Sequence, residues 1–284
     1  MNEASDALHA AQQARVRALV IPREHGAWGL LLVPLFTGVV AGYASQHRIW
    51  PLLIFTVAAL SLFWLRTPVE SLIGTSSITA NTKAERRVAL VAAAFLAALT
   101  TACLTDLMWK GQSLQLLLLG GAAALAFLIQ SILRSLGRKT RMAAQMVGAI
   151  GLVCTAPAAY YIGTGQLGGR ALILWVANWV FAGNQIHFVQ LRIHSARATT
   201  PSQKVARGKF FLLAQPVLFA FLAIAAFWHF LPPLVVVAFV PALVRGTLWF
   251  VRKPEPLDVR RLGWSEIKQG VAFGLLLAVA FICS

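Results

Sequence analysis

The sequence predicts an all-α membrane protein, a bundle of nine transmembrane helices. Three observations carry that expectation. Of the 284 residues, 58% are hydrophobic and 12% charged, whereas a soluble domain is closer to half apolar and a quarter charged. The apolar residues fall in long runs, each near the ~20 residues a helix needs to cross a bilayer. Lipid offers the backbone no hydrogen-bond partner, so such runs must be helical. Lys and Arg, finally, collect in alternate connections, as expected of a chain that crosses back and forth.

Taken in order, residues 3–20 are Ala-rich and end with Arg15 and Arg17, which suits a short amphipathic helix on the membrane surface. Spans are expected at 26–45, 50–65, 88–109, 114–133, 142–162, 171–191, 210–229, 231–250 and 270–283. The eighth carries Pro232, Pro233 and Pro241, which predicts a bent entry. The ninth is short. Connections are mostly brief and leave no room for an inserted soluble domain. The chain thus divides into a cytoplasmic amphipathic segment, 1–25, and a nine-helix domain, 26–284. No secretory signal peptide is evident, because the first strong apolar run starts after residue 26 and lacks a cleavage pattern. Cys103, Cys154 and Cys283 stand singly in apolar spans and read as small core hydrophobes.

With the N-terminus inside, 22 of the 25 Lys and Arg residues lie in cytoplasmic segments, and Arg48, Lys110 and Arg170 fall outside them. This alternation sets the orientation and places the C-terminus outside. Changing the number of spans by one would scramble it. The formal net charge of +16 would point to nucleic acid on a soluble protein. Here it is the orientation signal plus attraction to anionic headgroups, and nucleic acid is excluded as a partner.

Polar groups at membrane depth are costly and carry most of the functional information. Three clusters qualify. The first, Arg23-Glu24-His25, enters span one beside Trp28. It suits an interfacial anchor or a proton-handling site with His25 titrating near neutral pH, and both readings stay open. The second is Arg66 and Glu70 at the end of span two, four residues apart and so on one helix face unless Pro68 breaks the helix. The third is the densest: Asn178, Asn184, Gln185, His187, Gln190, Arg192 and His194. Helical spacing puts Asn184, His187, Leu191 and His194 on one stripe with Gln190 beside it, and Gln185 with Arg192 on the next. Interhelical hydrogen bonds explain one or two amides; so many should point into the bundle or a wet cavity, and a site is the favoured reading. A basic knot, Arg138-Lys139-Thr140-Arg141, lies between spans four and five and by itself is an orientation signal. His187 and His194 stand about 10.5 Å apart along a helix and cannot share one metal unaided. No metal site is expected, and the sequence names no cofactor.

Pro22 to Trp28, continued by Gly29 to Pro34, resembles the opening motif of the YwiC-like family, which implies a bacterial cytoplasmic membrane. A more distant resemblance is to the UbiA superfamily of membrane prenyltransferases. Arg23, Gly26 and Pro34 are similar to its first helix, and Arg138-Lys139-Thr140 to the basic motif that helps hold a diphosphate there. That resemblance implies a UbiA-like nine-helix fold and a site built near 66–81 and 184–197. Superfamily enzymes carry Asp-rich, Mg²⁺-binding motifs at both places. Here the first offers Glu70 with Arg66 and Asn81, and the second has no carboxylate. Hard Mg²⁺ wants carboxylate oxygens, so either Arg and Lys hold a diphosphate directly or the cavity takes another ligand.

The functional expectation is a cytoplasm-facing cavity for an anionic isoprenoid or other amphiphile, a divergent prenyltransferase being one form of it. Ligand contacts are expected from Arg23, Arg66, Glu70, Arg138, Lys139, Asn184, Gln185, Gln190, Arg192 and His194, and acid–base chemistry from Glu24, His25 or His187. The competing expectation is a transporter or an assembly factor for a membrane complex. A haem protein using His25 with His187 or His194 ranks last. No protein partner is named by the sequence.

Overall fold

The computed structural model describes residues 12–22, 25–74, 78–109, 114–253 and 256–284, with the side chains of His25 and Arg138 set aside. Among these residues every regular element is helical. Residues 12–20 form α1. There follow α2 (His25–Gln46), α3 (Ile49–Ile73), α4 (Lys83–Trp109) and α5 (Leu114–Ser135). Next come α6 (Arg141–Val153), α7 (Thr155–Thr164), α8 (Gly169–His194), α9 (Pro201–Phe227), α10 (Pro233–Val251) and α11 (Val259–Ile282). With α6 and α7 counted together, nine of the described segments are long and apolar enough to cross a membrane.

Several helices outrun their apolar cores, because a helix leaving the bilayer can continue on polar residues. Expected at 50–65, α3 runs on through Pro68 to Ile73. The ninth span is not short. It starts at Val259 and is 24 residues long, with Asp258 as N-cap accepting from the N–H groups of Arg260 and Arg261. The seventh begins at Pro201, where Thr200 caps by accepting from the Gln203 N–H. Nor do Pro232 and Pro233 bend a running helix. Pro232 is the N-cap of α10 and Pro233 its first residue, where a missing N–H costs nothing. The fifth span breaks at Cys154, between α6 and α7, because Pro157 has no N–H for the carbonyl four residues back.

The chain forms two compact units. One holds α1, α3 and α4. Within it Trp64 Nε1 donates to the Val20 carbonyl at 2.7 Å, and Leu19 is fully buried. Thr82 and Glu85 make a reciprocal cap at the start of α4: Thr82 Oγ1 accepts from the Glu85 N–H, and Glu85 Oε2 from the Thr82 N–H. The other Glu85 oxygen takes Arg15 Nε at 2.5 Å, so α1 is tied to that cap.

The second unit holds α2 and α5 to α11. Its core gathers Phe181, Phe239, Phe273, Leu174 and Leu277, with Phe181 and Phe273 stacked at 3.9 Å. Small residues let α2 and α7 touch backbone to backbone. A Cβ on Gly38 would lie 2.3 Å from the Ala156 carbonyl, and one on Gly163 would lie 2.7 Å from Gly42. This is the small-residue packing that membrane helices use when no hydrophobic force drives them together.

Candidate functional site

Within the second unit, α8, α10, α11 and the α10–α11 connection enclose a cavity of about 420 Å³. Phe188, Pro241, Leu248, Trp249 and Leu262 form its apolar wall, and Arg192, Arg245, Arg252, Lys253 and Arg261 its basic lining. Asp258, Ser265 and Gln269 complete the polar side. Arg252, Lys253 and Arg261 are exposed at the mouth, whereas Arg245 and Gln269 are half-buried.

Arg245 sits six residues before the end of α10, about 9 Å into the helix at 1.5 Å per residue. A cation at that depth must be paired. Its Nη1 donates to Glu266 Oε1, its Nη2 to Gln185 Oε1 and, at 3.4 Å, to Glu266 Oε2. Ser265 Oγ accepts from Nη1 at 3.4 Å. The guanidinium also lies 4.1 Å from the Phe188 ring centre, a cation–π contact. One side chain thereby links α8, α10 and α11.

Lys204 of α9 is 3% exposed. Its Nζ donates to the carbonyls of Trp249 (3.0 Å), Arg252 (2.8 Å) and Lys253 (3.3 Å) and lies 4.7 Å from the Trp249 ring centre. Carbonyls at a helix C-terminus lack intrahelical donors and carry partial negative charge. Lys204 satisfies both needs and fixes the backbone that presents Arg252 and Lys253. Arg192 Cζ lies 5.7 Å from the Trp249 ring centre. Among the described residues five cations thus line the cavity, Asp258 is its one lining carboxylate, and Glu266 is paired to Arg245. Asp258 is itself engaged by backbone N–H groups.

The third polar cluster distributes its groups among several helices. Asn178 donates to Thr37 Oγ1 on α2 at 3.1 Å. Asn184 donates to Gln215 Oε1 on α9 at 3.2 Å, and Gln190 to Gln145 Oε1 on α6 at 3.0 Å. His187 meets the Phe211 ring edge-on at 5.0 Å, and His194 Nδ1 lies 2.8 Å from the Gln190 carbonyl. Gln185 and Arg192 take a different direction: Arg192 lines the cavity and Gln185 holds its deepest arginine. In the first unit, Arg66 Nε donates to Glu70 Oε1 at 2.7 Å along an uninterrupted α3. Lys139 is exposed. Arg23, Glu24 and the side chains of His25 and Arg138 lie outside what the structure describes.

Sequence reasoning misses Arg245, Glu266, Lys204, Gln269 and the connection around Arg252. Arg245 carries a usable signal, since it falls inside the expected span 231–250 although the charge count places it in the last loop. Glu266 escapes because the expected ninth span starts four residues later. Among the described residues no three His, Cys, Asp or Glu side chains gather as a metal site requires.

These features define a multi-pass helical membrane protein. Residues 21–160 match the model of the YwiC-like protein family. No curated protein matches the chain. The match runs from the entry of α2 into α7, and the cavity is built from residues beyond it.

Proposed function

We propose that the cavity of α8, α10 and α11 holds the anionic head of a membrane amphiphile, an isoprenoid phosphate among the candidates, with its mouth on the cytoplasmic side. The observation that carries this reading is the imbalance of charge. Among the described residues five cations line the space against one lining carboxylate, Asp258, and Arg245 is paired to Glu266 beside it. Planar guanidinium groups suit phosphate oxygens bidentately, and the wall of Phe188, Leu248, Trp249 and Leu262 suits the start of an apolar tail. The orientation rests on the Lys and Arg distribution, which puts the α10–α11 connection inside. The UbiA resemblance adds support, because its second site motif falls near 184–197, where Gln185 and Arg192 lie. Direct binding by Arg and Lys asks for no metal bridge.

The test is titration of purified protein in neutral detergent with farnesyl phosphate, and with farnesol as the uncharged control, with and without Mg²⁺. Farnesyl phosphate is expected to bind and farnesol to bind far less. The Arg252→Ala/Lys253→Ala variant is expected to weaken the phosphate by tenfold or more. Equal affinity for the two compounds, or no effect of the variant, would remove the proposal. A transporter reading draws on the buried Arg245–Glu266 pair, since ion pairs inside spans often mark a substrate path. Release of internal farnesyl phosphate from proteoliposomes separates carriage from binding.

A further inference from the structure

The cavity is open along one flank as well as at its mouth. Of the apolar residues that line it from within helices, Phe188 and Trp249 are buried, and Pro241 and Leu262 are half-buried. Val244 and Leu248 line it too, and they are 47% and 44% exposed. Both belong to α10, one turn apart and so on one face. That face continues deeper along the helix with Val240 and Val237, which are also exposed. The stripe from Leu248 to Val237 runs about 16 Å at 1.5 Å per residue, close to one leaflet of a ~30 Å hydrocarbon core.

Inward, an apolar tail meets closed ground. The floor is the Arg245–Glu266 pair with Gln269 beside it, polar groups that methylenes cannot satisfy. One to two turns deeper, Phe181 and Phe273 stack at 3.9 Å and Phe239 meets Phe273 at 5.1 Å. All three rings are buried, and a close-packed core leaves no channel for a chain. Behind Trp249 stands the ammonium of Lys204. The volume of about 420 Å³ lies toward the low end of the ~300–1,000 Å³ of small-molecule sites, room for a head and the first carbons of a tail. Resting on the headgroup reading above, we infer that the ligand's tail leaves through the flank at Val244 and Leu248 and lies in the bilayer along that stripe of α10. The head is recognised and the tail is not. The ligand class is then a long-chain lipid that keeps the orientation of its leaflet while bound. It enters by moving sideways, and its tail length is not selected.

The experiment places the full-length protein in nanodiscs of zwitterionic lipid with an octadecyl phosphate that carries a photoactivatable diazirine midway along its chain. Competition by unlabelled octadecyl phosphate separates bound probe from passing lipid. The competed adducts are expected on α10 between Val237 and Leu248. They should fall by about tenfold in the Arg252→Ala/Lys253→Ala variant, the loss of one or two charge-assisted contacts. Dodecyl and octadecyl phosphate, compared at equal mole fraction in the bilayer, should compete within about twofold of each other. Competed adducts elsewhere in the chain, above all in the core of Phe181, Phe239 and Phe273, would overturn the lateral exit and leave the headgroup reading standing. A larger dependence on tail length would do the same. Adducts that no phosphate competes away would remove the headgroup reading, and this inference with it.

Discussion

Replacing Lys204 by Met keeps the volume of the side chain and removes its charge. The ammonium now satisfies three carbonyls, of Trp249, Arg252 and Lys253. The bond to the Trp249 carbonyl is buried and the other two are part-buried, so water can replace the latter pair. One acceptor left unsatisfied costs about 1–3 kcal/mol, and losing a desolvated cation–π contact with Trp249 adds about 1–2 kcal/mol. Against this, the ammonium itself no longer has to be taken out of water. The balance is a net loss of about 2 kcal/mol, a fall of roughly 4–8 °C in melting temperature for a chain of this size. The loss should be accompanied by weaker amphiphile binding, because Arg252 and Lys253 are presented by the backbone that Lys204 holds. Intrinsic tryptophan fluorescence during a thermal ramp, run beside a farnesyl phosphate titration, reads both. A Lys204→Met protein that melts within about 1 °C of the native one and binds equally would refute the assignment of Lys204 as the clamp of this connection.

Arg245→Met leaves Glu266 buried without its counter-ion and should cost about 3–5 kcal/mol, while adding Glu266→Leu should recover most of that; additive losses in a double-mutant cycle would contradict the pairing. Gly38→Ala places a Cβ 2.3 Å from the Ala156 carbonyl and should destabilise by about 2–3 kcal/mol. Gly120→Ala, with nothing within 4 Å, should be neutral or stabilising by up to about 1 kcal/mol, and thermal melts of the two decide. Glu85→Gln gives up the ion pair with Arg15 and weakens the cap on α4, so hydrogen exchange across 12–20 should speed up while exchange in α8 stays unchanged.

The helical class and the number of spans were legible because both follow from the apolar runs, which the bilayer forces into helices. Span ends were less so. The starts of α9 and α11 depend on caps at Thr200 and Asp258 placed well before the hydrophobic stretch, where hydropathy is silent. The Arg66–Glu70 pair was readable from spacing alone, since i and i+4 adjoin on any helix, and only the effect of Pro68 was open. The cluster on α8 was visible as a dense polar stretch, but periodicity gives a direction around one helix and not the neighbour found there. Asn184, Gln190 and Asn178 turn out to meet α9, α6 and α2, and the residues of α8 that reach the cavity are Phe188 and Arg192. Lys204 could not have been read at all. An orientation-signal lysine and a buried helix clamp look the same in a sequence until the carbonyls around them are placed.

Native mass spectrometry of the protein purified from membranes in neutral detergent tests the central claim most directly. The account predicts a single retained anionic amphiphile that is lost when Arg192, Arg252 and Arg261 are together changed to Ala. An unchanged adduct in that triple variant, or a protein retaining only zwitterionic lipid, would contradict it.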